Sequence, residues 1–206
     1  MLKTYVFDFD GTLADTLQLS MDLFNELSVQ YKFSAVKEEN INILQDRGAR
    51  GFLSSLNINP TQAKEVVNLI KHKESDLIDD VDVFPDLKDV LIELKNKGFA
   101  LGILTSNTEK NVHSFLEKNN LNFFDFVISE NDLFGKDIVL KQILEERKLL
   151  PEETVYIGDE DRDIEAAKKA GLKSIAVTWG FNSEKLLQST QPNYVINSPK
   201  ELLEIK

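Results

Sequence analysis

The amino-acid sequence predicts an α/β fold, a parallel sheet covered by helices with a helical segment inserted near its start, and three observations support this. Short β-rich runs alternate with amphipathic helical patterns over most of the chain. Residues from about 15 to 82 break that alternation with helical periodicity and no convincing strand. Two strand-like runs, one opening at Tyr5 and one at Val155, stop abruptly on clustered acids, at the edge where open α/β sheets place their ligands. With 206 residues, 42% hydrophobic and 29% charged, the chain can bury the core of one globular domain carrying an insertion, and global disorder is excluded.

The expected strands are Thr4 to Phe7, Phe99 to Thr105, Phe126 to Ser129, Thr154 to Ile157, Ser174 to Thr178 and a short last one at Tyr194 to Ile196. Between them, Leu87 to Lys97 places Leu87, Val90, Leu91 and Leu94 on one helical stripe, closed by Gly98. Asp137 to Arg147 repeats that pattern, and Asp163 to Ala170 repeats it before Gly171. In the insertion, Leu17, Met21, Phe24, Leu27 and Tyr31 share a stripe behind Asp15, which stands where an N-cap or first-turn acid belongs. A weaker stretch surrounds Ile41 to Leu44, and a third runs from about Thr61 to Ile78 with Ala63, Val66, Val67, Ile70 and Leu77 as buried positions. The chain returns to the sheet through Phe84-Pro85-Asp86. The expected division is therefore 1–14 with 83–206 as the core and 15–82 as the helical insertion.

Charge and composition remove several classes of function. Against 24 Lys and Arg stand 35 Asp and Glu, so a formal net charge of -11 repels polyanions and neither nucleic acid nor an anionic membrane is an expected partner. The absence of cysteine excludes disulfides, zinc-thiolate sites, iron-sulfur clusters and thiol nucleophiles. No signal peptide is expected from Met1 to Asp10, and no apolar run approaches the roughly 20 residues of a membrane helix. A cytoplasmic location fits these features.

Four segments carry the candidate chemistry. Tyr5 to Leu13 is an apolar strand ending in Asp8-Phe9-Asp10-Gly11-Thr12; it reads either as a turn, since Asp and Gly favour turns, or as paired carboxylates holding a hard cation such as Mg²⁺. Val155 to Asp163 also ends a strand in acids. Asp159, Glu160, Asp161 and Asp163 there either complement a helix dipole or share a metal with the first pair, Asp159 being the expected direct ligand. Thr105-Ser106-Asn107-Thr108 reads equally as a helix cap or as a seat for phosphate oxygens. In Phe134-Gly135-Lys136-Asp137 a lysine precedes a helix, with Lys141 one turn on as a rival for any catalytic amine.

In this order and spacing the four segments resemble the motifs of the haloacid dehalogenase-like superfamily of hydrolases, over nearly the whole chain. Asp8-Phe9-Asp10-Gly11-Thr12 is similar to the first motif, Thr105 to the second, Lys136 to the third and Gly158-Asp159 through Asp163 to the fourth. The insertion resembles the family's C1 cap, and the pattern as a whole the phosphoglycolate phosphatase-like branch. The resemblance implies a Rossmann-like parallel sheet whose strand order gathers motifs one, two and four. It implies a Mg²⁺-dependent phosphatase of a small phosphorylated metabolite, working through an aspartyl-phosphate. Asp8 would be the nucleophile and Asp10 the general acid and base, with its backbone carbonyl on the metal. Asp8 and Asp159 would ligate Mg²⁺, Asp163 would act from behind them, Thr105, Ser106 and neighbouring amides would bind phosphate, and Lys136 would neutralise it.

Two departures stand out: Asp137 follows Lys136 where many relatives have proline, and Asp86 stands where relatives often carry glycine, which concerns the turn rather than the chemistry. In the insertion, Asp46-Arg47-Gly48-Ala49-Arg50-Gly51 reads as a glycine-rich turn whose Arg47 and Arg50 either hold a substrate anion or form solvated ion pairs. His72 and His113 read as surface residues and Trp179 as packing. The alternatives to a phosphatase are a sugar phosphomutase sharing the aspartyl-phosphate and a non-enzymatic phospho-acceptor or metal-binding regulatory domain. Oligomeric state is not legible.

Overall fold

A computed structural model describes residues 1–37, 41–55, 58–130 and 135–205. Its centre is a six-stranded sheet in the order β3-β2-β1-β4-β5-β6, all pairs parallel. The strands are β1 (Thr4–Phe7), β2 (Ala100–Thr105), β3 (Phe126–Ser129), β4 (Thr154–Gly158), β5 (Lys173–Val177) and β6 (Tyr194–Ile196). The first strand therefore lies in the middle, flanked by β2 and β4, so the expected gathering of the first, second and fourth motifs at one sheet edge is what the topology delivers.

Burial on both faces explains the apolar run of β1. Tyr5 and Phe7 point with Leu101, Ile103, Val155 and Ile157 into one core, while Val6, Leu104 and Tyr156 point into a second. Helices α5 (Leu87–Asn96) and α6 (Glu109–Lys118) cover the first face through Leu87, Val90, Leu91, Val112 and Phe115. On the other, α7 (Lys136–Glu146) and α8 (Asp161–Ala170) contribute Val139, Leu140, Ile143, Ala166, Ala167 and Ala170. Helix α8 starts two residues before the expected position because Glu160 and Asp163 form a reciprocal capping box. Gly171 ends it in the left-handed conformation. A short α9 (Glu184–Ser189), capped by Ser183, has no counterpart in the expected pattern.

Residues 15–82 carry four helices among those described: α1 (Leu17–Tyr31), α2 (Ile41–Gln45), α3 (Gly48–Ser55) and α4 (Pro60–Glu74). Leu23, Phe24, Leu27, Phe33, Val66 and Ile70 give them a core of their own. Three expectations are corrected here. Asp15 is neither cap nor first-turn acid: Thr16 is the N-cap, and the Asp15 N–H is taken at 3.0 Å by the Asp82 carbonyl where the two connecting segments run side by side. The glycine-rich turn is largely the first turns of α3, since Gly48 to Gly51 are helical. Leu77 is exposed, because α4 ends at Glu74 and the chain passes into a 3₁₀ turn at Ile78–Asp80 that buries Ile78 instead.

Candidate active site

The site forms where β1, β2 and β4 end. Asp8 follows β1 directly; its N–H donates to the Ile157 carbonyl at 2.8 Å, extending the β1-β4 ladder by one bond and fixing the start of the carboxylate. The Asp8 side chain is 3% exposed, its Oδ1 accepting from the Phe9 N–H at 2.7 Å and its Oδ2 lying 2.6 Å from Lys136 Nζ. Lys136 is 2% exposed and also donates to Asp163 Oδ1 at 2.7 Å. Of the two lysines the fold brings Lys136 to these carboxylates, whereas Lys141 is exposed on α7. The position of Lys136 as first residue of α7 aims its stem inward, and Asp137 in place of proline leaves that start intact. Phe134, quoted with this motif, lies outside the described residues.

Gly11 turns the chain between Asp10 and Thr12 with φ +73°, and a Cβ there would run into the Asp159 carboxylate and the Phe181 ring. The turn and site readings of this segment thus describe the same residues. Asp159 is fully buried; Thr12 Oγ1 donates to its Oδ1 at 2.6 Å and the Phe181 N–H to its Oδ2 at 2.7 Å. Trp179 packs against the core, as expected, and its Nε1 donates to the Thr12 carbonyl at 3.2 Å.

Asp10 faces a different neighbourhood. Asn107 Nδ2 lies 3.1 Å from each of its carboxylate oxygens and 3.3 Å from Glu74 Oε2. Glu74, on α4 and 3% exposed, accepts from Ser20 of α1 at 3.0 Å, so the inserted helices supply one carboxylate to this cluster. Thr105 is fully buried and its Oγ1 accepts from the Asn107 N–H at 2.9 Å, while Thr108 caps α6 through the Asn111 N–H. The cap reading of the hydroxyl segment falls to Thr108, while Thr105, Ser106 and Asn107 stand where β2 ends, beside Asp10. Glu74, Asn107 and Arg162 were not singled out from sequence. Nothing local marks Glu74, which reaches the site only through the return of α4.

Electrostatics follow from burial. Desolvation, reinforced by the Asp163 charge and opposed by Lys136, pushes the Asp8 carboxyl up to about 7. Desolvation and the charge of Glu74 push Asp10 to about 7 against the Asn107 hydrogen bond. Asp159 is raised by burial and then by Glu160, Asp163 and Asp8. Lys136 is held protonated: burial would depress it, but Asp163 and Asp8 raise it well above the ordinary lysine range.

The donor set suits a hard divalent cation. Asp8, Glu160 and Asp163 each place a carboxylate oxygen within 4.8 Å of the others, all three buried; Asp159, the ligand expected from sequence, is buried but is not one of this group, its two oxygens accepting from Thr12 and Phe181. Four carboxyl groups there face two cations, Lys136 and Arg162, so two of them lack a cationic partner when ionised, a place for a cation among oxygen ligands. Asp163 orients the group, holding both Lys136 and the Glu160 N–H. Arg47 is exposed and does not line the adjoining cavity, and the Arg50 side chain lies outside the described residues. His72 and His113 are exposed, as expected.

Comparison with known proteins agrees with this architecture. The chain is 29% identical over 204 residues to a phosphoglycolate phosphatase of Synechococcus elongatus, covering 98% of this chain and 96% of that one. It is 28% identical over 209 residues to the pyrophosphatase PpaX of Oceanobacillus iheyensis, covering 99% and 96%. A crystal structure of a predicted phosphatase from Clostridium acetobutylicum superposes with a TM-score of 0.82 at 25% identity, each chain covered in full. The family model for haloacid dehalogenase-like hydrolases matches residues 5–177, from β1 to the end of β5, a span that holds Asp8, Asp10, Thr105, Lys136, Asp159 and Asp163. The chain belongs to the haloacid dehalogenase-like hydrolase family.

Proposed function

We propose that this protein is a Mg²⁺-dependent phosphatase that hydrolyses a small phosphomonoester in two steps through Asp8. The observation that carries the reading is the buried Asp8–Lys136–Asp163 arrangement, with Lys136 2.6 Å and 2.7 Å from the two carboxylates and a second acid, Asp10, two residues along the chain but in a separate environment. Both carboxyls are raised, but Asp8 lies against the fixed cation Lys136, which favours its ionised form, whereas Asp10 lies against Glu74, which favours its protonated form, and this difference matches the roles of nucleophile and proton donor.

In the first step an Asp8 carboxylate oxygen bonds to phosphorus, the bond from phosphorus to the ester oxygen breaks, and Asp10 passes its proton to the departing alcohol. In the second, Asp10, now ionised, accepts a proton from water as that water's oxygen attacks the phosphorus of the aspartyl-phosphate, returning Asp8 and releasing phosphate. Lys136 offsets charge on the phosphoryl oxygens, Thr105 and Ser106 with neighbouring N–H groups hold them, and Asn107 keeps the Asp10 carboxyl aimed. Asp8 and Asp159, with the backbone carbonyl of Asp10 and support from Glu160 and Asp163, would hold Mg²⁺. When bound it supplies charge neutralisation between an anionic nucleophile and an anionic substrate.

The reading treats residues 15–82 as a cap over the catalytic core. It leaves the substrate open, since relatives of nearly equal similarity carry the names of two different substrates. The test is phosphate release from a phosphomonoester panel with Mg²⁺ and with EDTA, on the native chain and on Asp8→Asn. Release by the native chain with Mg²⁺ alone is expected; normal release by folded Asp8→Asn contradicts the assignment.

A further inference from the structure

The cavity beside Asp10 has a character that the chemistry of phosphoryl transfer does not require. Its volume is about 210 Å³, some seven times the ~30 Å³ of a liquid water. Asp10 and Ser106 stand at one end, and Met21, Phe24, Phe52, Leu53, Val67 and Ile70 line the other, between α1, α3 and α4. At the polar end is Lys71, only 9% exposed, whose Nζ has no hydrogen-bond partner. The charged residues among its described lining are three carboxyl groups, Asp10, Glu74 and Glu160, and two cations, Lys71 and Arg162, the latter already joined to Glu160.

We propose that the alcohol half of the substrate is an apolar body of roughly four to seven heavy atoms, bearing one neutral oxygen acceptor, a hydroxyl or carbonyl, next to the ester oxygen, where Lys71 Nζ receives it. The inference deepens the phosphatase reading and rests on it for the ester half of the molecule. The apolar wall is unfavourable for a sugar or a short carboxylate, because it would leave their polar groups without partners. With Asp10 carrying the proton it donates, the described lining balances two carboxylates against two cations, and a second anion would add an unbalanced charge beside Glu74, so phosphoglycolate is a poor fit despite the names of several relatives. A neutral acceptor satisfies Lys71 Nζ, which with Thr16 Oγ1 is one of two buried polar atoms lacking a partner among the described residues, without adding a charge.

The test is a kcat/KM series over ethyl, butyl and hexyl phosphate, 2-hydroxyhexyl phosphate and phosphoglycolate, with acetyl phosphate as a reference for the chemistry. The value should climb up to about fourfold per added methylene, the ratio that about 0.8 kcal/mol per buried CH₂ implies. The 2-hydroxy ester should exceed the plain hexyl ester by about tenfold, and Lys71→Met should abolish that second ratio. Val67→Asp should reduce the hexyl-to-ethyl ratio to near one, and Met21→Gln, at a half-buried position, is the second variant if the first loses its fold. A flat series, or a preference for phosphoglycolate, with acetyl phosphate still hydrolysed overturns the pocket assignment and leaves the phosphatase reading standing. A second readout does not depend on turnover: 1,2-hexanediol should shift the NMR resonances of pocket methyl groups in the native chain more than in Val67→Asp. Equal or absent shifts overturn the proposal even if no phosphate is released from any ester.

Discussion

At the scale of single residues, the account turns on two aspartates that share a turn and differ in their surroundings. Asp8 meets a lysine; Asp10 meets an amide and a buried glutamate. Because Glu74 raises the pKa of Asp10, replacing it by glutamine removes a negative charge and lowers that pKa. Asp10 donates its proton in the first step, so activity should fall as pH rises through about 7, and Glu74→Gln should move that alkaline limb to lower pH. A pH profile of kcat for both proteins checks the sign; a limb that stays in place removes Glu74 from the account. Asp10→Asn should lower kcat by about 10²- to 10⁴-fold with the fold retained, the range of a lost general acid, by steady-state kinetics and circular dichroism. Asp8, Asp10, Thr105, Lys136 and Asp159 were all legible in the sequence, since each follows an apolar strand or opens a helix. Glu74 and Lys71 were not, because both lie on the inserted α4 and reach the site only through the fold; Asn107 was visible only as part of the hydroxyl segment, and Arg162 reads locally as an ordinary first-turn charge.

At the scale of elements, the sequence pattern carried all six strands and the covering helices α5, α7 and α8, since burial on two faces or one stripe writes a strong periodicity, while α6 was marked only by the hydroxyl segment at its start. It failed where side chains decide the ends. Asp15 sat one residue from the true cap, α3 was hidden by two glycines, and α4 stopped before Leu77 because a polar cluster at Glu74, Ser75 and Asn111 ends it. Helix α5 offers a further check. Asp86 precedes it at φ +65°, a left-handed conformation that suits glycine, and its ion pair with Lys200 is exposed and contributes little. Asp86→Gly should therefore stabilise the protein by about 1 kcal/mol in urea denaturation, and a loss of stability would show that the carboxylate matters more than the backbone. Lys136 ties α7 to β1 and α8 through two buried carboxylates. Lys136→Met leaves both uncompensated and should cost about 3–5 kcal/mol in the same assay.

At the scale of the whole molecule, the inserted helices and the sheet meet around the cavity, joined by the paired segments at Asp15 and Asp82. They are also held by contacts of the end of α2 with the start of α9, where the N–H of its cap Ser183 donates to the Gln45 carbonyl at 3.2 Å and Lys185 lies 3.1 Å from Asp46. In the metal-free protein, Asp8 and Asp10 have folded pKa values near 7, above the ordinary 3.8, so the folded state keeps protons that the unfolded chain has released. Their contribution to stability therefore declines as pH rises from about 4 toward 7. Mg²⁺ engages the ionised carboxylates, so it should raise the melting temperature more at pH 8 than at pH 6, by thermal denaturation with and without the metal; equal shifts would remove the carboxylate cluster as its site. The claim beneath all of these is that Asp8 carries the phosphoryl group. Mass spectrometry of enzyme quenched in acid during turnover of acetyl phosphate with Mg²⁺ tests it most directly. The account predicts one phosphoryl group on the peptide containing Asp8, absent from Asp8→Asn and accumulating in Asp10→Asn; a phosphoryl group on any other residue, or turnover with none, would contradict it.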